Sequence, residues 1–283
     1  MKKNNIYILI ITLILISCTV SVFASSLDVP GLSPGEWEEY KSAHFIVYYQ
    51  SDIPRPYISS FANKCENYYR AITHRLGFNR FDFWLWDDRA RIFMYNTKEE
   101  YLSITGRAQW SGASVHVKDK LINTFYFDED FFDYILPHEL GHIILREFIG
   151  TNTAVPLWLD EGVACANEKS SSLRYLLIAK KNIEKGLYVP LTQIGTVSPG
   201  TIKAPNVFYP TAASVIIFML EEYGKRRFVD FCKELRDGKN FEEAVKKVYR
   251  IGTIADLEKK FLSFMEEKSY QEIIDADNFD ARW

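Results

Sequence analysis

Two histidines and a glutamate stand where they can do metal chemistry: His138, Glu139 and His142, in the order H-E-L-G-H. On a helix, residues four apart lie on one face, one turn from each other, so both imidazoles can reach the same zinc ion. Glu139 sits about 100° round the helix from His138. There it can reach a water on the metal without competing as a ligand. Residues 131–145 around the motif are mostly apolar and suit a buried helix. Pro137 lacks a backbone donor and disfavours helix before it, which puts the helix start near Leu136 or a kink at that point.

A catalytic zinc site takes three protein ligands and keeps one position open. The third is expected from a second helix, and 156–164, P-L-W-L-D-E-G-V-A, offers Glu161, 19 positions after His142. Pro156 reads as a first-turn proline, and Asn152 or Thr153 can cap the turn before it. The bland alternatives are two satisfied core histidines and a solvated helix carboxylate. A closed structural zinc site would need a fourth protein ligand, and no Cys or His is suitably placed for it.

H-E-L-G-H, eighteen residues, then a glutamate within W-L-D-E-G resembles the gluzincin metallopeptidases. The likeness is greatest to the exported bacterial peptidase MA-like group, related to the thermolysin and aminopeptidase families. The resemblance implies His138, His142 and Glu161 as ligands of one Zn2+ ion and Glu139 as the general base of peptide-bond hydrolysis. It implies an α+β, zincin-like fold: a mixed-sheet N-terminal lobe with the active-site helix, and a helical C-terminal lobe, with the zinc cleft between them. In aminopeptidase relatives a tyrosine at the head of a later helix donates its hydroxyl to the tetrahedral oxyanion. Tyr209 matches that position, with Tyr175 and Tyr188 as weaker rivals.

Two departures accompany the resemblance. The aminopeptidase branch carries G-x-M-E-N, whose glutamate binds the substrate's free amine, where residues 110–114 here read W-S-G-A-S. No acid falls there, so aminopeptidase activity is unsupported. Related chains often have Asp four residues after the ligand glutamate; here that position is Cys165, which leaves Asp160 as the nearest partner for a ligand histidine. A catalytically inactive or non-peptidase surface binding protein on the same scaffold accommodates both departures. It does not account for His138, Glu139, His142, Glu161 and Tyr209 being kept together.

The elements that must position these residues follow from pattern. A strand over 42–49 carries His44, read as structural, near its start, and a helix over 58–76 is stopped by Gly77. A strand over 89–95, a short helix over 98–104 and a hairpin of 110–117 with 121–127 come next. In gluzincins the strand before the zinc helix is an open sheet edge, to which substrate backbone adds as a further strand. The resemblance therefore implies that one strand of this hairpin holds a peptide. His116 is read as a surface histidine rather than one that lines the cleft. After the zinc helix, the helix bearing Glu161 is expected to continue through Glu168, and another runs over 173–186. A loop covers 195–210, and an apolar helix opens at Tyr209 and closes at Gly224. Three amphipathic helices follow, over 228–235, 241–249 and 254–265.

The domain reading is a metallopeptidase domain over 40–267, a linker over 25–39 and a polar tail over 268–283. Residues 1–24 form a targeting segment. Lys2 and Lys3 precede an apolar run over 6–16, and Val22-Phe23-Ala24 resembles a signal-peptidase site. Leu15-Ile16-Ser17-Cys18 also resembles a lipobox, which would make Cys18 a lipidated N-terminus, and an uncleaved anchor is a third form. All three place the body outside the cytoplasm, secreted, periplasmic or membrane-anchored. Losing 1–24 removes two lysines and no acids, taking the net charge from −3 to −5. With 47% hydrophobic and 25% charged residues, the 283-residue chain is of ordinary globular composition. No basic patch points to nucleic acid, and a peptide or protein substrate is the partner expected. Cys65, Cys165 and Cys232 are too widely spaced for a disulfide framework and read as buried thiols.

Overall fold

A computed structural model describes residues 37–274 except 80, 82, 83, 86, 87, 110, 127–129, 169, 170 and 199. The expected targeting segment with Cys18, the first part of the expected linker, Trp110 and residues 275–283 of the expected tail lie outside the described residues. The fold is α+β, and the chain divides into two compact units, residues 1–69 with 82–135 and residues 70–81 with 136–283.

The first unit is built on a five-stranded mixed sheet. Its strands are β1 (Trp37–Lys41), β2 (Phe45–Gln50), β3 (Ala90–Tyr95), β4 (Ala113–His116) and β5 (Leu121–Phe125), in the order β1-β2-β3-β5-β4. The inner pairs β2/β3 and β3/β5 are parallel and the outer pairs antiparallel. Helix α1 (Arg55–Leu76) makes the crossover that a parallel β2/β3 pair requires. Strand β2 alternates, burying Phe45, Val47 and Tyr49, whereas β3 is buried almost throughout, as a central strand covered on both faces must be. Helix α2 (Lys98–Thr105) starts on Thr97, whose hydroxyl accepts from Glu100 N, and stops at Gly106, which takes the left-handed φ of 64°.

Strand β1 corrects the expected linker, of which 37–39 belong to the sheet. Its W-E-E-Y-K pattern is too polar to read as a strand, but Trp37 packs edge-on against Phe93 and Tyr95 at 5.6 and 5.2 Å. The edge strand of the hairpin is β4, while β5, the strand preceding the H-E-L-G-H helix, is interior. His44 is structural, as expected. Its ring Nδ1 and backbone N both face the Glu66 carboxylate, at 2.7 and 2.8 Å, and the ring stacks on Tyr69 at 4.1 Å. His116 is exposed and faces Asp119 at 2.6 Å.

The second unit is helical. Helix α3 (Asp130–Ile149) contributes its C-terminal part, and α4 (Leu157–Ala166), α5 (Ser171–Glu184), the short α6 (Leu191–Ile194), α7 (Pro205–Arg236), α8 (Phe241–Tyr249) and α9 (Ile254–Glu267) follow. Helix α4 packs on α7, as does α5. Helix α3 does not begin near Leu136. It starts at Asp130 and runs through Pro137, so the proline costs one backbone donor without ending the helix. Leu136, Leu140, Ile143, Ile144 and Leu145 are all buried, and packing on every side outweighs that local cost.

Helix α7 also starts earlier than expected, at Pro205 within the supposed loop. It carries Pro210 inside and breaks at Gly224 (φ 79°, ψ 158°), where a left-handed residue lets the chain turn before the segment with Phe228 and Leu235. Helices α8 and α9 each open with a capping box, Asn240 with Glu243 and Thr253 with Asp256. The expected loose tail begins with a helical turn at 270–274, capped by Ser269 and Glu272 and anchored by buried Ile273. Cys65, Cys165 and Cys232 are free and buried, as read from their spacing.

Candidate metal centre

Two glycines set how closely the helices of the second unit approach. A Cβ on Gly141, in H-E-L-G-H, would lie 2.9 Å from Ala164 Cα, and one on Gly162, in W-L-D-E-G, would lie 2.6 Å from the Ala212 carbonyl oxygen. Helix α3 therefore sits hard against α4, and α4 against α7, where any side chain would hold them apart. The close crossing brings His138 and His142 of α3 beside Glu161 of α4.

Their free atoms converge. His138 Nε2 and His142 Nε2 are 3.3 Å apart, and Glu161 Oε2 is 3.9 Å from the first and 3.8 Å from the second. Ligands about 2.0–2.2 Å from a tetrahedral zinc ion stand about 3.3–3.6 Å from one another, so the three atoms are spaced much as one face of such a site. Glu161 Oε2 is buried with no hydrogen-bond partner. A buried, unpartnered carboxylate oxygen is costly unless a cation meets it. The donor set of two imidazoles and one carboxylate suits zinc with its fourth position open.

The other nitrogens of both rings are occupied. His138 Nδ1 faces Glu168 Oε1 at 2.8 Å, and His142 Nδ1 faces Asp160 Oδ1 at 3.1 Å. Each Nδ1–H donates to its carboxylate, which leaves the Nε2 lone pairs turned to the common point. Asp160 is held in turn by Arg146, whose Nε and Nη2 donate to Oδ2 at 3.0 and 2.7 Å. Arg146 Nη1 donates to the Thr153 carbonyl at 3.0 Å, tying the turn between the helices to the same network. Thr153 caps the end of α3 through the Ile149 carbonyl, and its backbone N–H closes the following turn on the Gly150 carbonyl. A second donor group, His138, Cys165 and Glu168, also lies close together. Its 2.8 Å nitrogen–oxygen separation is that of a hydrogen bond, shorter than two ligands of one tetrahedral ion would keep.

A family model for the Peptidase MA superfamily matches residues 88–267, more than half of the chain. The chain belongs to the peptidase MA superfamily. Its fold is metallopeptidase-like, and both histidines, Glu139, Glu161 and Tyr209 lie within the matched span. No curated protein matches the sequence.

Within this peptidase MA domain the carboxylates set the electrostatics. Burial works to keep His142 neutral, but the Asp160 charge and hydrogen bond, with the charges of Glu161 and Glu139, carry its pKa up to about 10. Burial likewise opposes charge on His138, yet the Glu168 hydrogen bond and the Glu139 charge raise its pKa overall. Burial leads in raising the pKa of Glu161, helped by the negative charges of Asp160 and Glu139. Burial disfavours an ionised Asp160 too, but His142 and Arg146 hold its pKa down at about 2. Glu139, Asp160, Glu161 and Glu168 thus crowd two imidazoles with Arg146 as the paired counter-charge, a pocket that a dication suits and in which taking up a metal would release protons.

Glu139 is half-buried, and its charge is felt at His138, His142 and Glu161 alike. Tyr209 is buried in the second turn of α7, and its pKa is pushed up by burial and then by the Glu161 charge. Tyr175 instead donates to Glu168. The spacing of histidines and ligand glutamate could reveal the first three residues, and Asp160 by its adjacency. Glu168 escapes such reading because it lies just past the end of α4, where helical spacing no longer fixes which way a side chain points. Arg146 is signalled only by its place one turn after His142.

Proposed function

We propose that the protein is an exported zinc metallopeptidase that hydrolyses peptide bonds, with Glu139 as its general base. The observation that carries this reading is the bare, buried Glu161 Oε2 set 3.8–3.9 Å from two imidazole nitrogens whose other sides are already bonded. His138, His142 and Glu161 would hold one zinc ion, which when bound polarises a peptide carbonyl and lowers the pKa of water toward about 7. Glu139 takes the proton from the attacking water and gives it to the leaving amine. Tyr209, kept protonated by its raised pKa, donates its hydroxyl to the developing oxyanion. Asp160 and Glu168 hold the two imidazoles in the tautomer that presents Nε2. Export rests on the basic, apolar and small-residue order of residues 1–24.

The test is digestion of a denatured protein by the purified chain, followed by mass spectrometry. Cleavage is expected, lost with a chelator and restored by zinc. Cleavage indifferent to chelation would contradict the reading, as would its absence from the zinc-loaded chain.

A further inference from the structure

The outer face of His138 is occupied by a residue from beyond its helix pair. Cys165, four residues after Glu161, places its sulfur 3.9 Å from His138 Nδ1, a weak contact at the limit for a thiol. Glu168, three residues further and past the last turn of α4, brings Oε1 to 2.8 Å from the same nitrogen. Only the carboxylate is a strong acceptor at hydrogen-bond distance.

Glu168 has no helix to fix it, since α4 ends at Ala166. Its hold comes from α5. The Tyr175 hydroxyl reaches both carboxylate oxygens, at 3.3 Å for Oε1 and 3.2 Å for Oε2. All three groups, His138, Glu168 and Tyr175, are buried, so water does not substitute for either bond.

We infer that Glu168 and Tyr175 are positioning residues for the metal centre: Tyr175 fixes the Glu168 carboxylate, and Glu168 fixes the ring of His138. The inference rests on the zinc reading above. It makes α5 part of the metal site, although α5 supplies no ligand. Loss of an outer hydrogen-bond partner weakens metal binding by about 10–100-fold. Loss of the tyrosine hydroxyl, one step further out, costs about five-fold.

The experiment is zinc affinity by competition with a chromophoric chelator, together with the visible spectrum of the cobalt-substituted protein. Glu168→Leu is expected to bind zinc 10–100-fold more weakly than the wild type and to shift the cobalt bands. Tyr175→Phe is expected to weaken binding about five-fold. Because Cys165 already points at His138 Nδ1, Cys165→Asp in the Glu168→Leu background supplies a carboxylate there and is expected to recover most of the affinity and the cobalt spectrum. Wild-type affinity in Glu168→Leu overturns the inference alone. Weak binding that the second substitution does not restore also overturns it, since a packing defect would then explain the loss. A wild-type chain that binds no metal overturns the zinc reading and the inference with it.

Discussion

A Cβ on Gly162 would stand 2.6 Å from the carbonyl oxygen of Ala212, and the obstacle is backbone. The glycine of W-L-D-E-G is thus the contact at which α4 lies on α7. Gly162→Ala gains about 1 kcal/mol of helix propensity, but it must push two helices apart, which costs about 1–3 kcal/mol or more. The expected result is a lower Tm together with weaker metal binding, because Glu161 is its neighbour in sequence. A calorimetric scan showing unchanged or raised Tm would contradict the packing argument.

Glu139→Gln keeps the side chain's shape and removes its basicity. Metal content is expected to stay at the wild-type value while turnover falls by about 10²–10⁴-fold. Steady-state rates alongside elemental analysis check both halves. Undiminished turnover would remove Glu139 as the base.

Tyr209→Phe deletes one hydroxyl from a buried position in α7. If that hydroxyl meets the oxyanion, kcat drops by about 10²–10³-fold with little change in KM, the signature of an interaction made only in the transition state. A change confined to KM would assign Tyr209 to substrate binding instead.

The first unit has its own pH-sensitive contact. Burial works against the Glu66 carboxylate, but hydrogen bonds from the His44 ring and backbone and from Ser42 outweigh it and hold its pKa below the ordinary 4.5. A depressed carboxylate stabilises the fold above its unfolded pKa, and that contribution is lost as pH falls through the folded value. Glu66→Gln is therefore expected to cost about 1–2 kcal/mol at pH 7, with the gap to wild type closing as pH drops below 4.5. Urea midpoints measured from pH 7 to pH 3 test this. A gap independent of pH would show that packing, not charge, is what the substitution removes.

Much of the centre was legible because its chemistry is local. Four-residue spacing on one helix and a glutamate on the next are properties of sequence, and the apolar runs around them predict burial. What escaped depends on packing at a distance. Strand β1 reads as linker because W-E-E-Y-K lacks alternation, and only the Trp37 contact with Phe93 and Tyr95 explains it. Pro137 and Pro210 read as helix boundaries, yet both lie inside helices whose burial outweighs one missing donor. Glu168 reads as part of a helix when it lies beyond one, and its bond to His138 is visible only once α4 and α5 are in place.

The central claim is that His138, His142 and Glu161 together hold one ion. Metal content of the purified chain, measured beside Glu161→Ala, tests it most directly. The account predicts about one zinc per wild-type chain and almost none in Glu161→Ala, with the circular dichroism spectrum of the variant retained. Equal zinc in both proteins, or none in the folded wild type after dialysis against zinc, would contradict it.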